Sequence, residues 1–169
     1  MEVSATAQKA PKTFSAYAAN KCLIGYGLVN GIVNAAVFAA MHAAQPEVGF
    51  GLPDIMMDLT LTGAILGIIL FACVVPLTRH DVNAARFAHP EALPSFVRLL
   101  PRSYVGAMLV LGLVAAVAAV AVGLALALIV GIVLPLPLHF VTMMVLKGCV
   151  CACIGALSGF LTISYVVRG

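Results

Sequence analysis

Four long apolar stretches, at residues 21–42, 55–77, 104–134 and 140–167, constrain this chain more than any other feature. A membrane span needs about 20 residues, because roughly 30 Å of hydrocarbon is crossed at about 1.5 Å per residue. Each stretch reaches that length, and the third and fourth exceed it, which predicts tilt or protrusion beyond the hydrocarbon. Composition agrees: 63% of the 169 residues are hydrophobic and 9% are charged, against roughly 45–50% and 25% in soluble domains. Nine Lys and Arg with six Asp and Glu cannot cover the surface of a soluble chain this small. The expected fold is an all-α integral membrane four-helix bundle, residues 21–167, preceded by a short disordered cytoplasmic tail at 1–20.

The connections divide the spans. Residues 43–54 hold two Pro, two Gly and two acids, and PLPLH at 135–139 ends the third span with prolines. Residues 78–103 form the long polar connection. Short connections predict antiparallel neighbours, so spans one and two form one helical hairpin and spans three and four another. Lys9, Lys12 and Lys21 precede span one; Arg79, Arg86, Arg98 and Arg102 lie between spans two and three; Arg168 follows span four. The other two loops contain no Lys or Arg, so both ends and the long loop are predicted to be cytoplasmic, an N-in, C-in topology. SFVRLLPRSY is expected to form an amphipathic turn at the inner interface, with Phe96, Leu99 and Leu100 in lipid and Arg98 and Arg102 near phosphates; it is read either as an orientation anchor or as a regulatory lipid site.

Several function classes are disfavoured. There is no basic stripe or aromatic platform for nucleic acid. Cys22, Cys73, Cys149, Cys151 and Cys153 are odd in number and lie in apolar runs, unlike a secreted disulfide framework. The polar leader is too long, and its following apolar run too long, for a cleaved signal peptide. His42, His80, His89 and His139 sit at span ends or in loops without a nucleophile partner. With no phosphate loop or HExxH motif, the expectation is a protein without catalysis or cofactor.

Polar residues inside the spans carry the remaining information, because unpaired polar groups are costly in lipid. Asn30 and Asn34 share a face of span one with Tyr26, beside a Gly27/Gly31 seam. They are read either as interhelical hydrogen-bonding groups or as the lining of a solute path. Span two opens with Asp54 and carries Asp58, Thr60 and Thr62. Asp58 is either a satisfied acid of the outer interface or part of a site. Lys147 lies about 10 Å into span four, where it either snorkels or pairs. Helix directions bring Asn34, Asp58 and Lys147 to one depth in the outer half, so an Asp58–Lys147 pair with Asn34 and Thr62 nearby, open to the outside, is geometrically allowed. Gly155 and Gly159 form a second small-residue seam. Cys149 and Cys153 share a face and could pass a soft metal, but their spacing is not a zinc motif and small apolar packing is the expected role.

LVNGIVN, DLTLTG, RLLPRS and the Phe140–Lys147 arrangement resemble a broad group of uncharacterised four-span bacterial inner-membrane proteins. The resemblance implies location in a bacterial cytoplasmic membrane and topology only. The leading functional expectation is a small transporter-like or channel-like protein, homo-oligomeric or in a larger complex. The alternatives are a non-catalytic accessory or assembly subunit, and a thiol- or metal-handling protein.

Overall fold

The computed structural model describes residues 12–45, 47–90, 92–133 and 136–168. Lys9, Pro46 and Leu134 lie outside the described residues. Four long helices dominate. The first covers Phe14–His42, the second Leu52–Asn83, the third Tyr104–Val133 and the fourth Phe140–Val167. A short 3-10 helix, Ser95–Leu99, lies in the long connection. Each of the four is long and apolar enough to cross a membrane.

The distribution of polarity suits lipid. Leu23, Ile24, Leu28, Ile32 and Val33 of the first helix are exposed, while Lys147, Thr78, Asp81 and Ser164 are buried. Apolar surface of this extent would be a liability in water.

Helix boundaries differ from the expected ones where local chemistry extends the coil. The Thr13 hydroxyl caps the Ala16 N–H, so helix starts at Phe14, inside the segment expected to be a disordered tail. Lys21–Leu28 then adopts π-helical geometry, with the Val29 N–H reaching Ile24 O. A π turn holds more residues than an α turn, so the faces before and after it are offset. Asp54 accepts from the Gly51 N–H at 3.0 Å and starts the second helix before Ile55. That helix runs through Pro76 and stops at Asn83, six residues into the expected loop. Ala85 follows with φ 47°, a left-handed residue that lets the Arg86 N–H close back on Asp81 O at 3.1 Å.

Packing does not follow chain order. The first helix packs on the fourth, whereas the second packs mainly on the third and then on the fourth. The first pair is therefore not the close hairpin that its short connection suggests. Glycine explains the choice. A Cβ on Gly31 would lie 2.7 Å from Gly148 O, and one on Gly27 would lie 3.1 Å from Ala152 O. On the fourth helix a Cβ on Gly155 would collide with the Tyr26 carbonyl, and Gly159 receives the Tyr26 ring. Gly27 and Gly31 thus meet Gly148, Ala152 and Ala156, while Gly155 and Gly159 make room for Tyr26 and Asn30. The second and third helices close by the same device, with Gly63 and Gly67 against Ala115, Ala116 and Ala119.

The ends are fastened differently. At one end Phe50 and Leu138 exchange backbone hydrogen bonds, both 2.9 Å, tying the two short loops together. At the other, Ala88 N–H bonds Lys12 O at 2.9 Å, and Arg168 donates to the carbonyls of Val97 and Leu100 at 2.7 and 2.8 Å. The described Lys and Arg residues other than Lys147 gather at this second end. Leu100 corrects an expectation. It is 9% exposed and packs inward, while Leu99 is 86% exposed, because the 3-10 turn places Val97 and Leu100 on the inner side.

Candidate functional site

The centre of the site is an ion pair between the second and fourth helices. Lys147 Nζ donates to Asp58 Oδ1 at 2.7 Å. Asp58 lies six residues, about 9 Å, into its helix and Lys147 seven residues, about 10 Å, into its own. Both helices run in the same direction, so equal counts give equal depth. The Lys147 side chain is 10% exposed and that of Asp58 is 33% exposed. Asp58 Oδ2 is shielded and has no hydrogen-bond partner among the described residues. Pairing offsets part of the desolvation cost of each charge, and separating the partners would leave one uncompensated.

The first helix contributes an aromatic ring here. Phe38 places its ring centroid 5.3 Å from Lys147 Nζ, within cation–π range. Around Phe38 gather His42 at 4.3 Å, Phe50 at 5.3 Å and Phe140 at 5.9 Å between centroids. These rings pack around Phe38 near the short loops, and the Lys147 side chain beneath Phe38 is 10% exposed. Phe38 sits one helical turn beyond Asn34, and in sequence only that spacing from the Asn face marks it.

Asn34 and Asn30 do not join the pair. Asn30 Nδ2 donates to Tyr26 O at 2.6 Å, and Asn34 Nδ2 donates to Asn30 O at 2.9 Å. Both amides thus bond back along their own helix, and among the described residues neither makes the interhelical bond considered above. Thr62 is half-buried one turn beyond Asp58 and has no hydrogen bond to either charge. Thr60 returns its hydroxyl to Met56 O at 2.7 Å. Cys149 and Cys153 are exposed and Cys151 is buried, with all three thiols free. Among the described residues no group of three or more His, Cys, Asp or Glu is placed to hold a metal.

A second polar cluster lies at the opposite end. Asp81 is 3% exposed, accepts from the Tyr17 hydroxyl at 2.7 Å, and pairs with Arg86 at 3.0 Å and Lys21 at 3.5 Å. Tyr17 stacks on Phe87, 4.2 Å between centroids. The sequence offered one faint signal, an acid among Arg79, His80 and Arg86. Tyr17, in the presumed tail, gave none. This cluster joins the first helix, the second helix and the loop, and its satisfied carboxylate marks it as structural.

Comparison with protein-family models, curated proteins and solved structures returns no match.

Proposed function

We propose that this small multi-pass membrane protein is transporter-like or channel-like, with Asp58 and Lys147 as its solute- or ion-binding centre. The reading places it in a bacterial cytoplasmic membrane, N-in and C-in, as a homo-oligomer or part of a larger complex, without catalysis. The observation that carries it is the Asp58–Lys147 pair: a buried lysine and a partly exposed carboxylate with one oxygen unpaired. Ionisable groups at membrane depth are costly, and where they occur they mark ion and substrate paths. A cation or hydrogen-bond donor would approach from the exposed side of the Asp58 carboxylate, and reaching the shielded Oδ2 or the Lys147 ammonium requires the side chains around them to move.

The test is flux through liposomes reconstituted with the full-length protein, using dyes for protons, sodium, potassium and chloride. Flux that falls at least tenfold in folded Asp58→Asn and Lys147→Met variants supports the reading. No flux in any arm, with the protein folded, favours an accessory or assembly subunit. One observation supports that second reading: the Asn30 and Asn34 amide nitrogens donate within their own helix, and among the described residues neither hydrogen-bonds the pair. The thiol-handling reading draws no support, because Cys149 and Cys153 lie on the exposed side of the fourth helix.

A further inference from the structure

At the basic end of the bundle, a groove of about 510 Å³ runs along the second helix and is closed by Tyr104 at the start of the third. Its apolar lining is the exposed Ala72 and Pro76 with the buried Val75; its polar lining, further along the helix, is Arg79, His80 and Asn83. The second helix enters hydrocarbon near Ile55, and about 20 residues cross it, so the polar boundary falls near Val75. Apolar lining therefore lies at acyl depth and the polar lining at headgroup depth. Ala72 to Asn83 spans about 16 Å along the helix, enough for a headgroup and the first part of a chain.

Charge is available in this polar lining. Lys21 and Arg86 are committed to Asp81, and Arg168 to three loop carbonyls. Arg79 and His80 form no ion pair or side-chain hydrogen bond among the described residues. Pro76 adds a second feature, since it lacks an N–H and cannot bond the carbonyl of Ala72, four residues earlier in the same groove. The groove thus offers a fork of guanidinium donors, an imidazole, an amide and a backbone acceptor above an apolar channel.

We propose that this groove binds one anionic phospholipid, with its phosphodiester on Arg79 and His80 and an acyl chain along Ala72 and Pro76. A guanidinium matches phosphate oxygens two at a time, which an exposed lysine does not. The membrane supplies this chemistry at the right depth, and the apolar lining distinguishes a lipid from free phosphate.

Native mass spectrometry of the full-length protein, released from detergent with equimolar phosphatidylglycerol and phosphatidylcholine, tests the assignment. The wild type should retain one phosphatidylglycerol in preference to phosphatidylcholine. Arg79→Gln should lower that retention about tenfold, the loss of one charge-assisted contact. Ala72→Phe should lower it with the charge intact, by filling the channel, while Arg98→Gln should leave it unchanged. The variants' melting temperatures establish that they are folded. Lack of headgroup preference in the wild type, undiminished retention in Arg79→Gln or Ala72→Phe, or displacement of the lipid by inorganic phosphate would each overturn the proposal.

Discussion

Nζ of Lys147 lies 5.3 Å from the centroid of the Phe38 ring, so the lysine is held between an aromatic face and the Asp58 carboxylate. The contact links the first helix to a charge pair made by the second and fourth. It also sets the direction from which the pair is covered, because His42, Phe50 and Phe140 pack around the same ring.

Phe38→Ala should destabilise the protein in detergent by about 3–5 kcal/mol, the usual cost of emptying a buried aromatic position. In a Lys147→Met background the loss should be smaller by about 1 kcal/mol, the cation–π share. Thermal unfolding of the single and double variants measures both. An identical loss in the two backgrounds would remove the cation–π contact from the account.

The seam between the first and fourth helices makes a sharper contrast. Gly31→Ala places a methyl against the Gly148 carbonyl, and a packed interface resists such additions at a cost of about 1–3 kcal/mol. Cys149→Ala and Cys153→Ala change exposed side chains and should stay within about 0.5 kcal/mol of wild type. Tight copper(I) binding that disappears when both cysteines are replaced would contradict their assignment to the apolar surface.

Ala85 gives a prediction in the stabilising direction. Its φ of 47° closes the second helix, and a β-carbon in that conformation costs about 1 kcal/mol or more. Ala85→Gly should raise stability by about 0.5–1 kcal/mol after the entropy of the unfolded glycine is subtracted. A lower melting temperature for this variant would mean that the turn is not strained.

Much of the architecture is legible in the sequence because lipid imposes one rule on every span: about 20 apolar residues without a break. Run length therefore located all four helices. Their partners were harder to read. Chain connectivity suggested that the first helix lies on the second, but Gly27 and Gly31 fit the fourth helix, and close backbone approach outweighs loop length. Residue counting matched Asp58 with Lys147 because both helices start at the same end. Counting does not say which group an amide bonds, and Asn34 Nδ2 donates to its own helix backbone at Asn30 O. Phe38 and the Asp81 cluster were hidden for a related reason. An aromatic in an apolar run and an acid in a basic loop gain meaning only from residues distant in sequence.

The most direct test of the central claim, that Asp58 and Lys147 form a coupled pair inside the bundle, is a double-mutant cycle of unfolding free energy. The account predicts that Asp58→Asn costs about 3–5 kcal/mol, because it strands the buried Lys147, and that Lys147→Met costs less, because the Asp58 side chain it leaves is 33% exposed. The double variant should recover part of that loss, with a coupling of at least about 1 kcal/mol. A coupling near zero, with both single variants as stable as wild type, would show that the two charges are independently solvated and would contradict the account.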